Sequence, residues 1–197
     1  MIKPMRTISA NGLLLPALGQ GGWNIGDNPE SAQTEMAALR LGLDLGLRLI
    51  DTAEMYGDGR SEQLIGNALR GIKREKYLLV SKVYPHNADR RNIFASCDAS
   101  LKRLKTDYLD LYLLHWRGSV PLEETAECME MLVKAGKIRR WGVSNFDTSD
   151  MEELWSIPNG KNCAVDQVMY NLGSRGIEYD LLPWLRAHHV AAMAYCP

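Results

Sequence analysis

The chain lacks several features that would place it in other classes of protein. Its formal net charge is only −1 over 197 residues, so it has no excess of basic residues of the kind that attracts nucleic acid. No apolar run approaches the roughly 18 residues that span a bilayer, and the N-terminus carries no apolar run of signal-peptide length. We therefore expect a cytoplasmic protein without nucleic-acid or membrane partners.

Cysteine is scarce, and its spacing excludes two further classes. The 4 cysteines are far apart and include no C-x-x-C pair, whereas a disulfide framework or a zinc site needs closer spacing. We expect reduced thiols and no bound metal.

Two familiar nucleotide-binding loops are also missing. Residues 19–21 and 57–59 both read G-x-G, but Asn24 and Glu62 stand where the third glycine of G-x-G-x-x-G belongs. There is no G-x-x-x-x-G-K-[ST] segment either. Neither a Rossmann nor a P-loop nucleotide site is indicated.

What the chain does contain is a regular alternation of short apolar runs and longer amphipathic segments. The strand candidates are residues 15–20, 47–51, 77–82, 108–115, 138–143, 163–167 and 190–195. The helical patterns cover residues 28–45, 61–69, 89–104, 121–135, 149–155 and 177–187. Strands recur roughly every 22 to 33 residues, which leaves room for a crossover helix and forces parallel pairing. Seven such units, without a linker, favour a single α/β domain over residues 1–197, a parallel (β/α)₈ TIM-type barrel rather than an open doubly wound sheet.

A polar or aromatic residue stands at nearly every predicted strand end. These residues are Asp51, Lys82, His115, Asn145, Gln167 and Tyr195. Each alone has an ordinary explanation, such as a turn residue, a solvated lysine or a core histidine. Together they indicate a reactive site, because cores do not collect charge and barrel enzymes carry their chemistry at the C-terminal ends of the strands.

Three segments, in the correct order, carry a resemblance to a known family. DTAEMYG at residues 51–57 resembles the D-T-A-x-x-Y-G signature of the aldo/keto reductases. SLKRL at residues 100–104, with TDYLD at residues 106–110 and His115, is similar to the second signature region of that family. GVSNF at residues 142–146 matches a third segment. The resemblance runs from about Leu18 to Pro197.

The resemblance implies a catalytic group of Asp51, Tyr56, Lys82 and His115. Tyr56 would donate a proton to the carbonyl oxygen of the substrate. Lys82 would lower the pKa of its phenol from the ordinary value of about 10. Asp51 would hold Lys82 in place, and His115 would align the carbonyl. The alternative for Tyr56 is a half-buried aromatic residue beside a glycine turn.

The resemblance also implies cofactor and substrate contacts. Ser144, Asn145 and Gln167 would bind the carboxamide of a nicotinamide, with strand-end capping as the alternative. Tyr195 would stack on the nicotinamide ring. Two further residues, Trp23 and Trp116, would line the substrate site.

The resemblance implies an enzyme that reduces small aldehydes or ketones, such as methylglyoxal, with NADP(H), and NAD(H) is not excluded as the cofactor. It also implies a bacterial protein, and we expect a monomer. A cofactor-sensing regulatory subunit and an inactive fragment are the alternatives. The family has an eighth strand and C-terminal helices that this sequence does not contain. We therefore expect an incomplete barrel of about seven strands, truncated at its C-terminus.

Overall fold

The computed structural model describes residues 5–197 of the chain. Within that range the strands are β1 (Thr7–Ala10), β2 (Leu13–Pro16), β3 (Gly19–Gly21), β4 (Leu49–Asp51), β5 (Leu78–Val83), β6 (Leu109–Leu114), β7 (Ile138–Ser144), β8 (Val165–Met169) and β9 (Ala191–Tyr195). The α-helices are α1 (Ala32–Asp44), α2 (Arg60–Ala68), α3 (Ile93–Leu104), α4 (Leu122–Lys134), α5 (Thr148–Ser156) and α6 (Leu181–Ala187).

Seven strands form one parallel sheet in the order β3-β4-β5-β6-β7-β8-β9, with a helix between successive strands from β3 onward. The sheet curves into a nearly closed barrel, and in the described residues β3 and β9 are its two edges. This arrangement confirms the predicted (β/α)₈ TIM-type fold with seven strands present. None of the described helices has the length and apolar character to cross a membrane.

The predicted first strand, residues 15–20, is wrong in its bounds. Residues up to Pro16 belong to an antiparallel hairpin of β1 and β2, with Ala10 opposite Leu13, and the first barrel strand is Gly19–Gly21. Ala10 and Leu15 are buried in the same cluster as the residues that fill the barrel. The predicted strand therefore combined the end of β2 with the start of β3. The sequence pattern could not separate them, because a hairpin strand that packs into the barrel is as apolar as a strand of the barrel wall.

The core has two layers, divided by the wall of the barrel. Leu49, Val80, Leu113 and Val165 fill the interior. The residues that follow or precede them in each strand pack outward against the helices, as Ile50 does. This alternation is the period of two that any β-strand imposes on its side chains.

Helix α2 packs closely on α3 around a buried ion pair. The carboxylate of Glu62 is fully buried, accepting from Ser81 Oγ at 2.6 Å and from Arg103 Nε at 2.6 Å. A Cβ on Gly66 would overlap the backbone of Arg103 and Leu104, so only glycine permits this approach of the two helices.

A second ion pair joins β5 and β6 near their N-terminal ends. Asp110 is buried and accepts from Arg74 Nη2 at 2.6 Å and from the backbone N–H of Leu79 at 2.9 Å. Arg74 also donates to the carbonyls of Tyr77 and Tyr108. These bonds pair Oδ2 of the buried carboxylate, while Oδ1 has no hydrogen-bond partner among the described residues and lies 3.6 Å from Arg139 Nη1.

One buried carboxyl has no such compensation. Asp166, in β8, is fully buried, and neither of its oxygens has a hydrogen-bond partner within residues 5–197. Burial raises the pKa of Asp166 well above its ordinary value, the backbone of Phe146 lowers it, and Asp150 and Asp147 raise it further. The carboxyl therefore costs stability in its charged form.

We predict that Asp166→Asn stabilises the protein. Because the pKa of Asp166 is raised in the folded state, the folded protein keeps a proton that the unfolded chain releases above about pH 4. The free energy of unfolding therefore falls as the pH rises from about 4 to the folded-state pKa of Asp166. Asparagine has the same shape and no charge to desolvate. At pH 8 the free energy of unfolding should rise by about 1 to 3 kcal/mol, and at pH 4 by much less.

Urea unfolding of both proteins at the two pH values measures the effect. Glu152→Gln removes a carboxylate at an exposed position of α5 and serves as the control. Equal or lower stability of Asp166→Asn at pH 8 would contradict the prediction.

Candidate active site

The barrel brings the predicted residues to one mouth by a simple rule of spacing. Leu49, Val80, Leu113 and Val165 face the interior. Two residues further along the same strands, or just beyond them, stand Asp51, Lys82, His115 and Gln167. A shift of two residues keeps a side chain on the same face of a strand, so each interior apolar residue is followed by a polar one at the C-terminal rim.

Lys82 lies at the centre of this group. Its side chain is fully buried, and its Nζ donates to the carboxylate of Asp51 at 2.8 and 3.0 Å, to the carbonyl of Thr52 at 2.9 Å and to Tyr56 Oη at 3.2 Å. An ammonium has three N–H donors, so its hydrogen-bonding capacity is fully used. The structure thus brings Asp51, Tyr56 and Lys82 together, as predicted.

Tyr56 opens a short 3₁₀ turn after β4, and its phenol is partly buried. Burial raises the pKa of Tyr56 above 10.0, and this effect exceeds the lowering by Lys82. The prediction of a lowered pKa is therefore wrong in its net direction, although Lys82 acts in the expected sense. The reason is that the free energy needed to desolvate the phenolate is larger here than its stabilisation by the charge of Lys82. The phenol is protonated at neutral pH.

His115 lies beside Tyr56, with ring centroids 5.7 Å apart and the rings edge to face. The imidazole is buried, and burial, followed by the charge of Lys82, lowers the pKa of His115 to about 3. The ring is therefore neutral at physiological pH. Its Nδ1 is buried without a hydrogen-bond partner among the described residues.

The predicted cofactor residues form a second group, which contacts Asp51 and His115. Gln167 Nε2 donates to Asp51 Oδ1 at 2.9 Å, and Ser144 Oγ donates to the backbone oxygen of Gln167 at 2.8 Å. Asn145 Nδ2 donates to the carbonyl of His115 at 3.0 Å, and Asn145 Oδ1 accepts from Tyr195 Oη at 2.8 Å. The structure therefore joins these four residues to the predicted catalytic group.

These residues fit a nicotinamide carboxamide in part. Gln167 Oε1 has no hydrogen-bond partner in the part of the chain that the structure describes, and an amide N–H requires such an acceptor. Ser144 Oγ accepts one bond, from Asn145 Nδ2 at 3.1 Å, and keeps a second lone pair. The ring of Tyr195 is half-exposed at the rim. Both N–H groups of Asn145 are already engaged within the protein, while its Oδ1 accepts one bond, from Tyr195, and keeps a second lone pair.

Aromatic side chains form the walls of the mouth. Trp23, 65% exposed, stacks against Tyr56 with centroids 6.5 Å apart, and Trp116, 37% exposed, lies 4.9 Å from the His115 ring. Both tryptophans therefore lie beside the predicted catalytic group. Tyr84, which the sequence analysis missed, packs edge to face on Trp116 at 5.8 Å. Its position two residues after Lys82, on the same face, is the signal that could have found it.

Two supporting residues also escaped the sequence analysis. The carbonyl of Thr52 accepts from Lys82, and its hydroxyl lies 2.9 Å from Ser61 Oγ, which donates to the carbonyl of Gly22. Glu54 Oε1 accepts from the backbone N–H of Tyr84 at 2.7 Å. A backbone carbonyl carries no sequence signal, and the partner of Glu54 becomes visible only when two loops meet.

Comparison with known proteins gives a consistent result. The family model described as the Aldo/keto reductase family matches residues 17–197. Methylglyoxal reductase YeaE of Escherichia coli is 60% identical over 183 residues, which cover 93% of this chain and 64% of that protein. Aldo-keto reductase YhdN of Bacillus subtilis is 36% identical, over 96% of this chain and 60% of that protein. The chain thus spans less than two thirds of the length of these curated relatives.

A solved structure agrees with the sequence comparisons. The crystal structure of an aldo/keto reductase from Klebsiella pneumoniae in complex with NADP and acetate superposes with a TM-score of 0.95 at 55% identity, over 98% of this chain and 68% of that one. Sequence, family model and three-dimensional fold agree over nearly the whole chain, which therefore belongs to the aldo/keto reductase family.

Proposed function

We propose that the chain carries the catalytic centre of an NADP(H)-dependent reductase of small aldehydes and ketones such as methylglyoxal. The observation that carries the proposal is the bond from Lys82 Nζ to Tyr56 Oη, with Lys82 held by Asp51 and the neutral His115 alongside. The relatives support it, since one is named a methylglyoxal reductase and another was crystallised with NADP.

Gln167, Ser144, Asn145 and Tyr195 are the residues that would hold the nicotinamide. Among the residues that the structure describes, Gln167 offers an unpaired acceptor, Ser144 Oγ and Asn145 Oδ1 each keep a lone pair, and Tyr195 offers an aromatic face. When bound, the cofactor supplies the hydride that reduces the carbonyl carbon. The preference for NADP(H) over NAD(H) stays a prediction, supported by the Klebsiella relative.

Tyr56 is proposed as the proton donor. Its oxygen accepts a hydrogen bond from Lys82, so its own hydrogen is free to point into the mouth. The raised pKa keeps the phenol protonated at neutral pH, as a general acid requires. Once the proton leaves, the ammonium of Lys82 lies next to the phenolate and stabilises its charge, while Asp51 holds that ammonium in place.

His115 is proposed to orient the substrate. Because its imidazole is neutral and Nδ1 is buried, Nε2 is the nitrogen available to donate to a carbonyl oxygen between His115 and Tyr56. Trp23 and Trp116 leave an aromatic-walled opening. Such walls exclude water from the proton transfer and suit a small carbonyl compound.

A monomer in the bacterial cytoplasm, formed by one domain over residues 1–197, stays a prediction. The bacterial origin of the compared relatives supports the bacterial assignment. The first four residues of that domain lie outside the described part of the chain.

We predict that Tyr56→Phe removes activity without removing cofactor binding. The variant keeps the ring and loses the hydroxyl, which is both the proposed proton donor and an acceptor for Lys82, so kcat/KM for methylglyoxal should fall by about 10²- to 10⁴-fold. The loss of NADPH absorbance measures turnover, and quenching of tryptophan fluorescence measures binding. Tyr179→Phe makes the same change at a side chain that is 90% exposed and is the matched control.

The outcomes separate the candidate functions. Turnover that survives in Tyr179→Phe and is lost in Tyr56→Phe supports the reductase. NADPH binding without turnover in the unaltered chain contradicts it in favour of a cofactor-sensing subunit. The absence of both NADPH binding and turnover would indicate an inactive fragment.

We predict that His115 acts as a neutral donor, so the pH profile of kcat/KM has no inflection near pH 6.5, because its pKa is about 3. His115→Phe removes the donor and should lower kcat/KM by about 10²- to 10³-fold. His115→Gln keeps an N–H donor and should lose less. An inflection near pH 6.5 that disappears in His115→Gln would show instead that the imidazole titrates during catalysis.

A further inference from the structure

Asn145 occupies an unusual position at the rim of the barrel. It follows the last residue of β7 in the left-handed backbone region, with φ of 60°, and its backbone N–H donates to the carbonyl of Gln167 at 2.9 Å. Among residues other than glycine, asparagine tolerates this region best. The backbone at this position thus suits asparagine, and the chemistry of its side chain needs a separate explanation.

The side-chain amide of Asn145 is committed within the protein. Nδ2 donates to the carbonyl of His115 at 3.0 Å and to Ser144 Oγ at 3.1 Å, while Oδ1 accepts from Tyr195 Oη at 2.8 Å. The His115 carbonyl can only accept, so it determines which end of the amide carries the N–H groups. One side chain therefore connects the ends of β6, β7 and β9.

The ring of His115 is held unusually. A histidine at a reactive site is commonly oriented by a partner on one ring nitrogen, but Nδ1 of His115 is buried with no partner among residues 5–197. The peptide groups of His115 are anchored instead. Its N–H donates to the carbonyl of Val83 at 3.1 Å, and its C=O accepts from Asn145. The orientation of the ring thus depends on these backbone bonds and on packing against Tyr56 and Trp116.

We propose that Asn145 is a positioning residue, which holds the His115 backbone from one side and the Tyr195 hydroxyl from the other before any ligand binds. Its importance for reduction rests on the proposed function. The contacts themselves are a property of the protein alone. Loss of the amide frees the C=O of His115 and lets the imidazole reach more hydrated positions, further from Lys82.

The test uses the protein without cofactor or substrate. Nitrogen-15 labelling of histidine lets the ring signals of all 4 histidines be followed by NMR as pH is varied. Asn145→Gly is the principal variant, because glycine accepts the positive φ and only the amide is lost. We expect the titration midpoint of His115 to rise by about one unit or more towards its ordinary value near 6.5. The signals of His86, His188 and His189 should stay unchanged.

Two variants separate the contacts of Asn145. Tyr195→Phe removes only the bond to Asn145 Oδ1. Ser144→Ala removes the hydroxyl that accepts from Asn145 Nδ2, together with its bond to the Gln167 carbonyl, and leaves the bond from Asn145 to His115 in place. Neither should move the midpoint of His115. Unchanged His115 signals in Asn145→Gly, or an equal shift in Tyr195→Phe, would overturn the proposal. A general loss of stability would move all 4 histidines together and would also count against it.

A measurement on the unaltered chain keeps the proposal testable if Asn145→Gly does not fold. The side-chain N–H groups of Asn145 should exchange with solvent more slowly than those of Asn159. That residue is also exposed with a positive φ, of 64°, but its side chain makes no hydrogen bond among the described residues. Equal exchange at the two asparagines would show that the amide of Asn145 is not held.

Neither the titration of His115 nor the exchange of the Asn145 amide depends on whether the chain reduces methylglyoxal. A failed activity assay with a shifted His115 titration would reject the proposed function and keep the role of Asn145. The reverse pattern would reject the role of Asn145 alone.

Discussion

The site depends on one buried ammonium. Lys82 is fully enclosed, and an uncompensated charge in that position would cost several kcal/mol. Its three acceptors all come from residues 51–56, in and just after β4, which pairs in parallel with β5. Asp51 supplies the opposite charge, and Thr52 supplies a carbonyl. The hydroxyl of Tyr56 is the third acceptor. The hydrogen bonds that stabilise the buried ammonium therefore also hold the proposed proton donor in position.

The two ends of the barrel differ because the strands are parallel. Every strand of the sheet delivers its last inward-facing residue to the same mouth, where Gln167 and His115 join Lys82. At the other end the β1–β2 hairpin packs on the interior residues, and the Arg74–Asp110 pair links the N-terminal ends of β5 and β6. Groups that stabilise the fold and groups that face a ligand are therefore separated along one axis, as barrel enzymes generally show.

Much of this organisation could be predicted, and the exceptions have definite causes. The strands from β4 onward lie within or across the predicted ranges, because buried parallel strands are apolar on both faces and are bounded by turn residues. The first strand was misplaced because Leu15 belongs to the hairpin that plugs the barrel. The direction of the Tyr56 pKa was wrong because residue spacing indicates which charge is near but not how much water is excluded.

The sequence by itself determined the alternation of strands and helices and the types of residue at each strand end. Both follow from local periodicity, which any stretch of chain carries alone. Only the tertiary structure decided that His115 is neutral and that the amide of Asn145 binds His115 and Tyr195. It also decided that Gln167 Oε1 has no partner within residues 5–197. Desolvation and hydrogen-bond partners are set by atoms that arrive from distant parts of the chain, so they exist only once the barrel has brought them together.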